Sequence, residues 1–516
     1  MRLETLIDPL RTARLYGDPT VEIEGIAIDS RAVRPGELFV ALPGTVTDGH
    51  RFLSDAARAG ARAAVVARGF GERAADLFSA AVEVAEPKRV LSLLLNVFYG
   101  SPGAELDVIG VTGTNGKTTT TSLIRQLLER HGVDTGLIGT VEIAYGDVVE
   151  AATATTPDPV TLFRTLARMR ETGMRAVVME VSSHALDQGR TAGLPFCQAV
   201  FTNLTQDHLD YHGTMDAYRA AKGRLFHLLG GDFGLRRKNG ARARAAVLNA
   251  NDPASDDFAR ETVQPIVRYA VLRDGESAAD RFMSGVDLVA TDVVLGVRKT
   301  AFVLRSAAGE AHPVHLPLIG RHNVENALAA AASAHAYGIA LASIARSLNA
   351  VTSVPGRLER IDCGQPFGVF VDYAHTPDGL KSVLAALRPI TAGRLIAVFG
   401  AGGNRDPRKR PLMGAAVAEG ADLLWVTSDN PRDEDPERII ADVLAGIPQA
   451  ARARTASLTD RREAIGRAIQ AAEAGDVVLI AGKGHETGQI IRGVVHPFDD
   501  RLEARRALEK AGYRCS

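Results

Sequence analysis

Short apolar runs that stop abruptly at polar residues recur along the chain from residue 107 onward. Val177-Val178-Met179 runs into Glu180, Ala199-Val200-Phe201 into Thr202-Asn203, and Val247-Leu248 into Asn249. Further on, Val369-Phe370-Val371 runs into Asp372 and Ile396-Ala397-Val398-Phe399 into Gly400. Leu423-Leu424-Trp425-Val426 then meets Thr427-Ser428-Asp429, and Val477-Val478-Leu479-Ile480 leads to Gly482-Lys483-Gly484. Runs that are apolar throughout, without alternation, suit strands covered on both faces of a parallel sheet. Helical stretches at 378–387 and 461–474 separate some of them, which predicts βαβ units. A longer helical pattern occupies 323–350. In such sheets ligands bind beyond the carboxyl ends of the strands, so the polar punctuation is where function is expected. Turn-rich breaks at Tyr99-Gly100-Ser101-Pro102-Gly103 and Thr352-Ser353-Val354-Pro355-Gly356 predict three domains, 1–102, 103–351 and 352–516.

A chain of 516 residues exceeds one hydrophobic core, which agrees with that division. Apolar content of 46% with mixed charges reads as globular. The balance of 60 basic against 61 acidic residues gives no electrostatic case for nucleic acid or an anionic membrane. The three cysteines, Cys197, Cys363 and Cys515, are far apart and form no C-x-x-C pair, so neither a disulfide framework nor a zinc site is expected. The opening MRLETLIDPL lacks the long apolar run of a signal peptide, and no apolar stretch is long enough to span a bilayer. The expected location is the cytoplasm.

The chemistry concentrates first at residues 106–121, LDVIGVTGTNGKTTTT. A strand at 107–111 enters a turn in which Gly113 and Gly116 let backbone N–H groups face phosphate oxygens. Lys117 can reach the outer phosphates, Thr118 offers a hydroxyl to Mg²⁺, and the next helix points its N-terminus at the same anion. The usual G-x-x-x-x-G-K-[ST] spacing would put glycine at position 111, but here it sits at Gly110. The loop predicts a nucleoside triphosphate, with ATP the first choice, and leaves the reaction open.

Magnesium needs hard oxygen ligands, and Glu180 at its strand end is the first candidate. The stretch Asn203 to His212 adds Asp207, His208, Asp210 and His212. Nothing in its spacing distinguishes Lys222 from a surface lysine. Four charged strand ends in the last segment, at 372–377, 402–406, 429–432 and 482–486, predict a site for a zwitterion. Arg405 and Arg432 could fork onto carboxylates there, and Glu486 could meet an ammonium. The motifs Asp29-Ser30-Arg31 and Asp48-Gly49-His50 of the first segment are individually weak.

Taken in order, the motifs resemble those of the Mur ligases, ATP-dependent amide ligases of peptidoglycan synthesis. The resemblance rests on GTNGKTT at 113–119, TTPD at 155–158, MEVSSHAL at 179–186, FTNLTQDHLDYHGTM at 201–215 and AK at 221–222. It continues through HNVENA at 322–327, PGRLE at 355–359, DYAHTPD at 372–378, DNPR at 429–432 and GKGHE at 482–486, and so covers essentially the whole chain. It implies an α/β protein of three domains: an N-terminal UDP-sugar-binding domain, a central P-loop ATPase domain with a parallel sheet, and a C-terminal Rossmann-like domain. It implies ATP contacts from Gly113, Thr114, Asn115, Gly116, Lys117, Thr118, Thr119, Asn323, Arg357 and Asp372. Ser30, Thr155, Thr156, Ser182, Gln188 and Arg190 resemble positions that hold UDP-MurNAc-L-Ala-D-Glu. Relatives often carry Asn before the paired threonines, where this chain has Ala154, so one substrate hydrogen bond is expected to be missing.

Lys117, Glu180, His208 and Lys222 resemble the catalytic set, with Lys222 matching a lysine that the family carbamylates. As a carbamate it would help hold a second Mg²⁺ and, with Glu180 and His208, complete a metal site to which Thr118 also belongs. Arg405, Asp429, Asn430, Pro431, Arg432, Gly482 and Glu486 resemble a pocket for meso-diaminopimelate, in which the arginine matches the second carboxylate that lysine lacks. The resemblance thus implies small-molecule substrates, no nucleic acid or membrane partner, and a monomer.

Overall fold

The computed structural model describes residues 1–44, 47–231 and 244–515. Their contacts separate into two units, Met1–Val267 with Ala336–Gly338, and Arg268–His335 with Ile339–Ser516.

The first unit carries two sheets. One has five strands in the order Arg14–Gly17, Ala80–Val84, Ala63–Ala67, Glu37–Val40 and Gly25–Ala27, parallel except for the antiparallel first edge. Alternate side chains feed two cores: Leu38, Val40, Val65 and Val82 join one, and Phe39, Ala41, Ala64 and Val66 the other. Period-2 alternation with both faces covered produces this split. Helix Pro87–Tyr99 places Leu91, Leu94 and Leu95 on the first core and begins with proline at its first position. It ends at Gly100, whose φ of 68° is left-handed, with Ser101 N donating to Asn96 O. The turn-rich break after residue 98 is this helix stop.

In the second sheet the unit supplies, in order, Ala245–Asn249, Phe196–Phe201, Asp107–Thr112, Ala176–Glu180, Thr135–Ile138, Glu142–Tyr145 and Val148–Ala151. The first five are parallel, and the last two form an antiparallel extension. Asp107–Thr112 is central, and register sets Glu180 opposite Val111 and Phe201 opposite Thr112. Three strand ends therefore finish level at one edge, as a parallel sheet with a ligand site requires. The glycine at 110 lies inside the strand rather than in the loop. A Cβ there would meet the Phe196 ring at 2.8 Å and Leu225 at 3.0 Å, so helix-to-sheet packing demands it.

In the second unit, strand Ile266–Val271 pairs with Leu288–Val294, followed by the antiparallel strands Thr300–Ser306 and Ala311–Leu316. A six-stranded sheet follows in the order Glu359–Arg360, Gly368–Asp372, Val477–Ala481, Leu395–Phe399, Leu423–Thr427 and Thr455–Leu458. All but the first pairing are parallel. Helices Pro377–Leu387, Lys409–Gly420 and Pro436–Ala445 cover one face, and Arg461–Gln470 and Asp500–Lys510 the other. This doubly wound sheet is the Rossmann-like arrangement expected of the last segment.

Three expectations change. The single helical pattern at 323–350 is two helices, Arg321–Ala336 and Leu341–Leu348, because Gly338 takes a left-handed φ of 101°. The helix expected over 461–474 stops at Gln470, where a turn closes through Asp476 N to Glu473 O. The expectation of no disulfide is overturned: Cys363 and Cys515 are bonded across 152 residues, with Cα atoms 4.0 Å apart. Both cysteines pack on the same core, beside the 5.8 Å contact of Phe367 and Tyr513, a proximity that sequence distance hides. Cys197 is buried and free of disulfide bonding.

Candidate functional site

The phosphate loop leaves the central strand at Thr112. Gly113 adopts a φ of 152° and Gly116 one of 82°, conformations open to glycine. A Cβ on Gly113 would collide with Thr202 Oγ1. The neighbouring strand end clamps the loop. Thr114 N donates to Asn203 O at 2.8 Å, Asn115 N to Asn203 Oδ1 at 2.9 Å, and Thr202 Oγ1 to Asn115 O at 2.6 Å. Helix Lys117–Glu129 starts at Gly116 with no side-chain cap, so its first-turn N–H groups and positive dipole end suit a bound anion. Lys117 Nζ folds onto Gly113 O at 2.9 Å and Thr114 O at 2.7 Å. Thr118 and Thr119 follow on the same helix, Thr118 half-buried and Thr119 buried. The residues expected of the cradle are thus brought together at one strand end and helix start.

Glu180 is 1% exposed at its strand end. Thr140 grips both carboxylate oxygens, through its N–H at 2.8 Å and its hydroxyl at 3.1 Å. Gly139 is needed beside it, since a Cβ would stand 2.7 Å from Glu180 Oε1. Thr140 Oγ1 also lies 3.0 Å from Thr155 Oγ1. Thr156 Oγ1 donates to Glu180 O at 2.9 Å and accepts from Ser182 N at 3.1 Å. Arg190 donates to Thr156 O at 2.8 Å and to Gln188 Oε1 at 2.7 and 2.9 Å. Thr155, Thr156, Ser182, Gln188 and Arg190 are thus one connected set next to Glu180. Ser30 is elsewhere in the unit, in the short 3-10 turn Ser30–Ala32 that follows strand Gly25–Ala27 of the five-stranded sheet, capped by Asp29 through Arg31 N at 3.0 Å.

Lys222 is no surface lysine. It is 1% exposed on helix Met215–Leu228, with Nζ 2.8 Å from Gly113 O and 4.4 Å from the centre of the Tyr218 ring. Burial, and then the charge of Lys117, hold its amine well below the usual lysine range. Burial pushes the Tyr218 phenol up to about 12. His208 sits at a left-handed φ of 52°, its ring 4.8 Å from His184. Partial burial lowers its pKa, opposed by Asp207 and reinforced by Lys117 and Lys222, so a neutral imidazole is favoured.

Among the described residues no three His, Cys, Asp or Glu side chains form a ready metal cluster. Mg²⁺ is commonly held by one or two carboxylates together with substrate phosphates. Glu180, aimed by Thr140, supplies one hard oxygen, and the Thr118 hydroxyl can supply another. These two oxygens are of the hard type that the ion takes, with phosphate oxygens completing the set.

In the second unit a cavity of about 250 Å³ is lined by Arg405, Asp429, Asn430, Arg432, Gly482 and Glu486, with Tyr373 and His375. The sequence-predicted zwitterion set is therefore brought together, with Pro431 in the connecting backbone. Arg432 holds a left-handed φ of 52°, which its backbone partners enforce: its N–H donates to Ile490 O at 2.9 Å, and its carbonyl accepts from Arg492 N at 2.6 Å. Its Nη1 donates to Gly403 O at 2.7 Å. Asn430 Nδ2 donates to Glu486 Oε2 at 2.8 Å. Arg410, buried in the cavity wall, ties Glu434, at 2.8 and 2.9 Å, to Asp442, at 2.9 Å.

Asp372 accepts from Leu358 N and Ala374 N, each at 2.8 Å, and burial raises its pKa against the pull of Arg357. The Arg357 guanidinium lies 4.9 Å from the Tyr373 ring centre, and its buried Nε has no protein partner. Asn323 is buried on helix Arg321–Ala336, its amide engaged by Ile319 O at 2.9 Å and Asn326 Nδ2 at 3.0 Å. The sequence alone assigns no role to Thr140, Tyr218 and Arg410, and shows Lys483 only within its motif, because each also depends on a partner far along the chain: Glu180, Thr114, Glu434 and Asn430 respectively. No helix among the described residues is long and apolar enough to cross a membrane.

Three family descriptions match the chain: the Mur ligase family, catalytic domain, at residues 22–99, the Mur ligase middle domain at 111–334, and the Mur ligase, glutamate ligase domain, at 356–484. A curated relative from Geobacillus kaustophilus (strain HTA426), named UDP-N-acetylmuramoyl-L-alanyl-D-glutamate–2,6-diaminopimelate ligase, is 45% identical over 99% of this chain and 100% of its own. A solved structure of a ligase of that same name is 32% identical, covers 99% of both chains and has a TM-score of 0.69. The MurF ligase from Thermotoga maritima, solved in complex with ADP, is 19% identical, covers 94% of this chain and 97% of its own, and with a TM-score of 0.58 shares the fold.

Proposed function

The chain belongs to the Mur ligase family, and we propose that it joins meso-diaminopimelate to the D-glutamate γ-carboxylate of UDP-MurNAc-L-Ala-D-Glu, converting ATP to ADP and phosphate. The observation that carries the choice of amino acid is Arg432, fixed in a cavity that also holds Arg405, Asp429 and Glu486. A molecule with two carboxylates and two ammonium groups matches that mixture of charges. Its free carboxylate pairs with the Arg432 guanidinium, and an ammonium faces Glu486.

A carboxylate does not accept an amine directly, because its oxygen leaves poorly. The γ-carboxylate oxygen attacks the γ-phosphorus of ATP, ADP departs, and an acyl phosphate remains. The diaminopimelate nitrogen then attacks the acyl carbon, the nitrogen loses a proton, and the carbon–oxygen bond to phosphate breaks. The N–H groups of Gly113 and of Gly116 to Thr119, with the Lys117 ammonium, neutralise the charge that spreads over phosphate, while those of Thr114 and Asn115 hold the loop to Asn203. Thr155, Thr156, Ser182, Gln188 and Arg190 hold the muramoyl-dipeptide beside Glu180, and Ser30 meets its uridine end. Mg²⁺, held by Thr118, Glu180, His208 and the Lys222 carbamate, would supply neutralisation of the phosphate oxygens. Asn323, Arg357 and Asp372 are given to ATP on family resemblance. The functional segments are 1–102, 103–351 and 352–516, and the enzyme works as a cytoplasmic monomer.

The deciding experiment measures ADP release with meso-diaminopimelate, L-lysine or L-ornithine, and with each substrate omitted in turn. Full turnover without an amino acid would end the ligase assignment, and a preference for lysine would end the role of Arg432. A further outcome concerns Thr140. Thr140→Val removes a hydroxyl bond to Glu180, and the Mg²⁺ concentration for half-maximal activity is expected to rise roughly tenfold. An unchanged magnesium titration would show that Thr140 does not orient the ligand.

A further inference from the structure

Lys483 lies beneath the amino-acid cavity with no solvent exposure. Its Nζ is 2.9 Å from Asn430 Oδ1, 2.8 Å from Gly488 O and 3.2 Å from Glu486 Oε2. Asp429 Oδ1 stands 3.4 Å away. An ammonium has three donors, and these contacts commit all of them. Lys483 therefore has no donor left for a substrate.

What it sets is the pose of groups that do face the cavity. Asn430 Oδ1 accepts from both Lys483 and Ile490 N, the latter at 3.0 Å, which turns Nδ2 toward Glu486. Glu486 and Asp429 are two acids around one point, and the buried cation between them lets both stay in place. Gly488 opens the hairpin Gly488–Ile491 with Val494–Pro497, and its neighbours Ile490 and Arg492 grip the Arg432 backbone. Gln489 Nε2 binds Asp429 O at 2.7 Å from the same hairpin. One buried ammonium thus ties the acid that meets an ammonium to the strand that fixes the arginine.

We propose that Lys483 is a positioning residue for the acceptor amino acid, holding Glu486, Asn430 and the hairpin so that the ammonium-binding and carboxylate-binding halves of the cavity keep one spacing. This rests on the amino-acid site proposed above. The test is Lys483→Met, which keeps the apolar stem and removes the charge and donors. The KM for meso-diaminopimelate is expected to rise roughly tenfold or more, while the KM values for ATP and for UDP-MurNAc-L-Ala-D-Glu stay within about twofold. Lys483→Gln retains an N–H₂ group and is expected to fall between wild type and Met, which gives a second readout if the Met variant is insoluble. A KM for diaminopimelate within about twofold of wild type in a soluble variant, or an equal rise in all three KM values, would overturn the proposal. The wild-type control separates the two ideas: if the unaltered enzyme does not use diaminopimelate, the acceptor assignment fails before Lys483 is questioned.

Discussion

Arg432→Ala is expected to lower kcat/KM for meso-diaminopimelate by roughly 10²- to 10³-fold, with little change for L-lysine. The guanidinium is the cavity cation whose backbone is locked on both sides, through Ile490 and Arg492. Gly403 O occupies one of its nitrogens, and the remaining donors suit a carboxylate. A substrate carboxylate in this cavity without its partner would lose water and gain nothing in return, which is the source of the large effect. Lysine has no such carboxylate, so it loses nothing when the arginine goes. The ratio of the two acceptors should therefore collapse even as total activity falls. Backbone strain does not confound the reading, since alanine meets the same left-handed φ as arginine. Arg432→Lys should recover only part of the loss, because a point charge replaces a planar fork. Equal losses for both acceptors would place Arg432 in the scaffold and not in selection.

How much of this was legible in the sequence depends on how local the signal is. Each apolar run cited from residue 107 onward is a strand, because cover on both faces, complete in most and partial at Leu423 and Trp425, writes itself as an unbroken apolar stretch. The hairpins at Glu142–Ala151 and Gly488–Pro497 left no such mark, their strands being short and part-polar. Gly338 split a helix whose alanine-rich pattern reads as continuous. Gly110 looked like a misplaced loop glycine, whereas the Phe196 ring requires it. The phosphate loop was readable because its chemistry sits in seven consecutive residues, Gly113 to Thr119. Thr140 and Lys483 were not, because their meaning comes from Glu180, forty residues away, and Asn430, fifty-three away. Lys222 lies between these cases: its position could be matched to a motif, but its burial, and hence its reactivity, appears only in the fold.

That burial leads to the second large effect. Lys222→Ala is expected to reduce kcat by roughly 10²- to 10³-fold, comparable to losing a main charge-stabilising group. The amine is almost wholly enclosed, and Lys117 is the nearby cation that opposes its protonation. With its pKa held well below the usual lysine value by burial and by Lys117, the amine gives up its proton, and exposes its lone pair, more readily than an ordinary lysine. The unprotonated nitrogen can attack the carbon of CO₂, lose a proton, and leave a carbamate with two oxygens where an amine stood. The neutral amine exists above the lowered pKa and is lost as pH falls through it, so carbamate loading and activity should decline together on acidification. Lys222→Arg should not restore activity, since a guanidinium stays cationic and forms no carboxylate. Enzyme incubated with ¹³C-bicarbonate should show a carbamate carbon by NMR that is absent from Lys222→Ala. Removal of CO₂ at mildly acidic pH should inactivate the wild type, and bicarbonate at neutral pH should restore it. A Lys222→Ala enzyme with more than about a tenth of wild-type kcat would be incompatible with this role. Full activity in CO₂-free wild type would separate burial from carbamylation and leave Lys222 as an unmodified side chain bonded to Gly113 O.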